Sequence, residues 1–120
     1  MTEEVPMSDC LFCGIVAGKF KGEIVYRDDS VVAFRDILPR APVHILIVPR
    51  KHIATVMDLE PSDSGLVGDI FRVAAKLAED EGIAATGFRV VVNCGRDAGQ
   101  SVFHLHYHLL GGRVLGWPPG

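Results

Sequence analysis

Gln100-Ser101-Val102-Phe103-His104-Leu105-His106-Tyr107-His108-Leu109-Leu110-Gly111 sets three histidines in strict alternation with large apolar residues. Alternation of this kind predicts a half-buried strand, because successive side chains leave a pleated backbone on opposite faces. His104, His106 and His108 then share one face, while Leu105, Tyr107 and Leu109 point into a core. On a helix the same spacing would scatter the imidazoles around the axis. At a rise of about 3.3 Å per residue, neighbouring histidines sit roughly 6.5 Å apart, so two or three can reach one small ligand. Imidazole titrates near neutrality and serves as nucleophile, base or acid, which fits chemistry at a phosphate. Histidines one residue apart on a strand also suit zinc; the triad holds no Asp or Glu to complete a catalytic metal site, although a distant residue could supply a ligand.

Upstream, Gly95-Arg96-Asp97-Ala98-Gly99-Gln100-Ser101 is a polar loop with small residues, where backbone N–H groups and a hydroxyl can approach an anion closely. Before it, residues 88–94 predict a strand with Phe88, Val90 and Val92 on one face and Arg89, Val91 and Asn93 on the other. Val43-His44-Ile45-Leu46-Ile47-Val48 follows the stiff Pro39-Arg40-Ala41-Pro42 and is apolar on both faces, as a central strand requires. His44 shares its face with Leu46 and Val48. Such a buried polar group needs a partner, since leaving it unpaired costs on the order of 1 to 3 kcal/mol. Residues 23–27 and 31–35 predict a hairpin around Asp28-Asp29-Ser30.

Two helices are expected. A short one follows the Ser8-Asp9 cap and carries Leu11, Phe12 and Ile15 before Gly18 stops it. A long one covers residues 63–81, with Leu66, Val67, Ile70, Phe71, Ala74, Leu77 and Ala78 at helical spacing. Residues 1–7 read as loose. Residues 112–120 read as an irregular tail that holds Trp117, the sole tryptophan, which needs a surface to rest on. The fold class is therefore α+β, a five-stranded antiparallel sheet with one short and one long helix, in a single domain over residues 1–120.

Composition narrows the function classes. A chain of 120 residues with 48% hydrophobic content has enough for one core. A formal charge of -3, with acids and bases mixed, argues against direct binding along a nucleic-acid backbone. No apolar run approaches the ~20 residues that span a bilayer, and residues 1–9 lack the regions of a signal peptide, so a cytoplasmic protein without membrane contact is expected. Three cysteines are an odd number and argue against a disulfide framework. Cys10 and Cys13 have the spacing of a metal or redox pair, and no strand precedes them as a thioredoxin-like site would need. Zinc would need two further ligands, for which His52 and His104 are available; two unpaired thiols are the alternative.

His104-Leu105-His106-Tyr107-His108-Leu109-Leu110 resembles the signature of the histidine triad superfamily. Gly99-Gln100-Ser101-Val102 and the Trp117-Pro118-Pro119-Gly120 ending are similar to its nucleotide-binding branch, called HINT. So are Phe34-Arg35-Asp36-Ile37, Ala41-Pro42-Val43-His44, Val48-Pro49-Arg50-Lys51-His52-Ile53 and Val91-Val92-Asn93. The resemblance implies a purine nucleoside 5'-phosphoramidate hydrolase. His106 would be the nucleophile, His108 would contact the phosphate and help protonate the leaving amine, and His44 would support them. Ser101, counted with this catalytic group, would hold phosphate oxygens together with Asn93 and backbone N–H groups near Gly99, and Gln100 would be a further nucleotide contact. Asp36 would accept from the ribose, and the base would sit among Leu11, Phe12, Ile15, Phe20, Phe34 and Ile37. No organic cofactor is implied. Some members hold structural zinc at positions matching Cys10, Cys13, His52 and His104.

The resemblance also implies a twofold homodimer whose sheets join into ten strands; because Trp117 needs a surface to rest on, it is expected to cross to the other subunit and lie near that subunit's histidine face. There are two departures: Phe20-Lys21 stands where isoleucine and proline are common, and Cys94 where an acidic residue is frequent. The competing classes are a nucleotide-binding or protein-interaction module with vestigial activity and a dinucleoside polyphosphate hydrolase; the WPPG ending disfavours the latter.

Overall fold

β3, Val43–Pro49, is buried along its whole length in the computed structural model, which describes residues 10–19 and 21–120. The expectations for residues 1–7, for the Ser8-Asp9 cap and for Phe20 lie outside the described residues; the cap of the first helix is Cys10, whose sulfur accepts from Cys13 N–H. An apolar run of this kind survives only with a layer on each side, and both layers are present. Val43, Ile45 and Ile47 face a core with Val31, Ala33, Leu105, Tyr107 and Leu109, while Leu46 and Val48 face a smaller cluster with Val32 and Phe34. β3 is the middle of one antiparallel sheet. With β1 Ile24–Arg27, β2 Val31–Arg35, β4 Phe88–Val92 and β5 Tyr107–Gly111, the spatial order is β1-β2-β3-β5-β4.

α2, Ser64–Asp80, covers the larger core with Ile70, Val73, Ala74, Leu77 and Ala78, an i, i+3, i+4, i+7, i+8 stripe. Phe71, expected on that stripe, is instead 50% exposed and sets its ring edge against Tyr107 at 5.7 Å. It lies one residue, about 100° of helix, from Ile70, so Val73 takes the inner position. The opposite face is covered by α1, Leu11–Val16, which contributes Phe12 and Ile15 together with Cys10 at its cap.

The histidine stretch departs from the expected strand. The β3–β5 and β4–β5 ladders end at Ile47 with Tyr107 and at Val92 with Tyr107, so only His108 of the three histidines lies in β5. Beyond that point β3 runs into Pro49, which has no N–H, and Leu105 N–H donates instead to Ile53 O at 2.6 Å. The side-chain alternation nevertheless persists. Leu105, Tyr107 and Leu109 enter the larger core, and His106 faces Phe12 on the other side. The predicted strands at residues 23–27 and 88–94 are shorter, beginning at Ile24 and ending at Val92.

The loop between β4 and β5 turns through a 3-10 segment, Arg96–Ala98, and then through Gly99 at φ 83°, a conformation that glycine adopts without strain. In the tail Trp117 is 83% exposed. No helix among the described residues is long and apolar enough to cross a membrane.

Candidate active site

α1, the segment after β2, the start of β3 and the stretch from Ser101 to His108 enclose a cavity of about 410 Å³. Its wall includes Leu11, Phe12, Ile15, Phe34 and Ile37, the apolar residues expected around a base, and Asp36, His44, Ser101, His106 and His108. Asn93, Gly99 and Gln100 do not line it. The Gln100 side chain is buried and fully engaged: Oε1 accepts from Gly95 N–H, and Nε2 donates to the carbonyls of Ala54 and Val102. Its observed work is to tie the loop down behind Ser101. A second hollow of about 540 Å³, lined by Gly82, Phe88, Arg89 and Arg113 among others, has no histidine, cysteine or carboxylate in its wall, so its size does not make it the site.

The protonation of the imidazoles follows from unambiguous partners. His106 Nδ1 lies 2.8 Å from the carbonyl of His104, which can only accept, so Nδ1 carries the proton and Nε2 keeps a free lone pair. Arg40 N–H donates to His44 Nδ1 at 3.0 Å, which puts the His44 proton on Nε2. His44 Nε2 in turn lies 2.9 Å from His108 Nδ1 and donates to it, so His108 holds its own proton on Nε2. One cavity thus has a lone pair from His106 and an N–H from His108, with the rings 5.0 Å apart between centroids. Phe12 meets His106 edge-on, also at 5.0 Å, and fixes the ring plane.

Electrostatics keep this set neutral. Burial pushes His106 and His44 below the ordinary imidazole value, and at His44 it outweighs the opposing pull of Asp36, whose Oδ2 is 3.4 Å from Nε2. Burial, then His106 and His44, pushes His108 down to about 4. A neutral His106 is the form that can attack an electrophile, and a neutral His108 is one that can give its Nε2 proton only as a hydrogen bond or in a reacting complex. Asp36 is itself anchored, with Oδ1 accepting from Leu38 N–H at 2.8 Å.

A second cluster lies behind this one. Cys10, Cys13, His52 and His104 bring their donor atoms within 4.8 Å of one another. His104 Nδ1 is 3.4 Å from both sulfurs and His52 Nδ1 is 3.1 Å from Cys13 Sγ. Tetrahedral zinc with these ligands has donor-to-donor edges of about 3.5 Å, so the set fits. His104 Nε2 donates to Pro49 O at 2.8 Å, which leaves the Nδ1 lone pair aimed at the sulfurs. Burial, then the neighbouring Cys10, pushes the Cys13 thiol up to about 11, so it keeps its proton near neutrality unless a bound cation displaces it. Asp36, His44 and His108 also come within 4.8 Å of one another, but the facing atoms of the two histidines are spent on each other.

Reading the sequence missed the main chain of Arg40 and the charged rim made by Lys21, Arg35 and Arg40. Arg35 is held by Glu81, in two bonds of 2.7 and 3.1 Å, and by Glu23 at 2.8 Å. Its place beside Asp36 was the available signal. The donor role of the Arg40 amide had none, because a backbone group has no letter of its own.

Comparison with known proteins places this arrangement. Residues 17–115 match the HIT domain family. A purine nucleoside phosphoramidase of Escherichia coli (strain K12) is 49% identical over 108 residues, covering 90% of this chain and 91% of that protein. The crystal structure of a HIT family hydrolase from Legionella pneumophila Philadelphia 1 superposes with a TM-score of 0.92 at 49% identity, over 93% of this chain and 100% of that one. A zinc-bound histidine triad family protein from Mycobacterium smegmatis superposes with a TM-score of 0.76 at 27% identity, over 90% and 78%. The sheet order, the alternating histidines and the extent of these matches together mean that the chain belongs to the HIT family.

Proposed function

We propose that the chain hydrolyses purine nucleoside 5'-phosphoramidates to a nucleoside monophosphate and an amine. The observation that carries this is the opposed protonation of two imidazoles on one cavity, a lone pair on His106 Nε2 and a proton on His108 Nε2. His106 attacks the α-phosphorus as the P–N bond breaks, and the departing nitrogen takes the His108 proton, giving a nucleotidyl-histidine and free amine. Water then adds at phosphorus, a proton returns to His108, and His106 leaves as neutral imidazole. Ser101 steadies a phosphate oxygen, Asp36 accepts from the ribose, and the base lies among Leu11, Phe12, Ile15, Phe34 and Ile37. Asn93 and the Gly99-Gln100 backbone, which do not line the cavity, belong to the phosphate contacts of the same proposal. The similarity to the Escherichia coli phosphoramidase supports the substrate class.

Cys10, Cys13, His52 and His104 hold a zinc ion in this reading, supported by their donor geometry and by the zinc-bound relative. With four protein ligands the ion is structural: it fastens α1, the segment after β3 and the entry to β5 together. Work in a reducing cytoplasm is part of the same proposal, supported by three free cysteines. So is a twofold homodimer with a ten-stranded sheet. Its supports are the exposed Phe88 and Val92 on the edge strand β4, the exposed Phe71 on α2, and the exposed Trp117.

Incubation with adenosine 5'-phosphoramidate and, separately, with a diadenosine polyphosphate tests the activity. Release of AMP from the first and slow or no cleavage of the second is the expected result. Tight AMP binding without turnover of either would leave a binding module in its place. Sedimentation at micromolar concentration reads the assembly, and a monomer there would overturn the dimer.

A further inference from the structure

We infer that Arg113, outside the cavity, is a positioning residue that sets where the proton sits on His108; the inference rests on the hydrolase reading above. The β3–β5 ladder ends at the Val43 and Gly111 pair, and the chain then passes over the loop that precedes β3. Gly112 takes φ 90°, and a Cβ there would lie 2.9 Å from Pro42 Cβ, so only glycine lets the two segments approach this closely. That approach delivers the Arg113 guanidinium to the loop. Its Nε and Nη2 both donate to the carbonyl of Arg40, at 3.0 and 2.9 Å, and its Nη1 donates to Val114 O at 3.0 Å. Among the described residues every bond it makes is to main chain, and no carboxylate pairs with it.

The same residue, Arg40, supplies the amide that donates to His44 Nδ1. Pro39 and Pro42 restrict the loop on either side, and the doubly bonded carbonyl removes the remaining freedom at Arg40. The order of control then runs from Arg113 to the Arg40 backbone, to His44 and to His108. With the Arg40 N–H in place, His44 cannot carry a proton on Nδ1. Without it, His44 can move its proton to Nδ1 and turn a lone pair toward His108. His108 must then hold its proton on Nδ1, and it loses the N–H that faces a leaving group. Asp36 Oδ2, 3.4 Å from His44 Nε2, favours the working arrangement independently, so loss of the clamp shifts the balance without inverting it.

The test is Arg113→Gln and Arg113→Lys in the full chain. Two readouts are taken: the imidazole nitrogen tautomers by 15N NMR, and steady-state kinetics with adenosine 5'-phosphoramidate. Arg113→Gln should show a smaller population of His108 protonated at Nε2, with kcat down by about tenfold and KM within about twofold, because leaving-group protonation belongs to the chemical step. Arg113→Lys, which keeps one bond to the Arg40 carbonyl, should lie between it and the parent. Tautomers in Arg113→Gln that match the parent, or a loss confined to KM, would overturn the inference. If the Gln variant does not fold, parental tautomers together with a kcat defect in Arg113→Lys overturn it equally. Parental turnover in His108→Ala would instead strike at the hydrolase reading, on which the tautomer spectra do not depend.

Discussion

The two faces of the sheet are built to different specifications. One is closed by the 17-residue α2, whose whole inner stripe packs on Ile45, Ile47, Tyr107 and Leu109. The other is closed by the six-residue α1 and is left open beside it as the cavity. A helix of six residues is too short to persist by its own hydrogen bonds, so α1 depends on what anchors it. Its anchors are Phe12 and Ile15 in the smaller core and Cys10 and Cys13 in the cysteine–histidine cluster. The comparison teaches that stability and chemistry are divided by the pleat. Alternate residues of one stretch serve both, Leu105 and Tyr107 inward to the thick face, His106 and His108 outward to the thin one.

The largest expected effect is on the thin face. His106→Ala should lower turnover of adenosine 5'-phosphoramidate by at least about a thousandfold while AMP binding stays within about an order of magnitude, since removal of a nucleophile separates catalysis from affinity. Measured activity near the parent would end the nucleophile assignment. On the thick face, Leu77→Ala should cost about 2 to 5 kcal/mol in urea unfolding and leave KM alone, because the cavity it opens lies across the sheet from the substrate. Ile15→Ala should do the reverse in proportion, with a visible loss of AMP affinity. Equal effects of the two on affinity would dissolve the division.

Smaller still is the metal effect. Protein prepared without chelator should carry about one zinc per chain, and a Cys10→Ser, Cys13→Ser variant none, with AMP affinity reduced roughly threefold to tenfold as α1 loosens. Metal analysis that finds no zinc in the parent would return both thiols to an unliganded role.

A further effect is with pH. His108 is held down to about 4 in the folded chain and returns to about 6.5 when unfolded, so the unfolded state takes up its proton first as the medium is acidified. The stability this neutrality represents is intact above pH 6.5 and is lost between about 6.5 and 4, on the order of 3 kcal/mol for the group. The His108→Asn variant should lose less stability over that window than the parent in thermal melts. An identical pH dependence would show that His108 is not held neutral.

From residue order alone the chain disclosed its central strand, both helices and the pairing of histidines with apolar residues, because each rests on a local period; the grouping of Cys10 and Cys13 with His52 and His104 came from the family resemblance, since residue order left two unpaired thiols as an alternative. Phe71 was misread because a helical wheel shows a sector and not which neighbour wins the contact. The break at Tyr107 was hidden because strand limits depend on where the partner strands stop, here at Ile47 and Val92. What only the tertiary structure decided is where the protons sit. Tautomers of His44, His106 and His108 are set by the Arg40 amide and the His104 carbonyl, and backbone groups are identical at every position until folding brings one of them within 3 Å of a ring nitrogen.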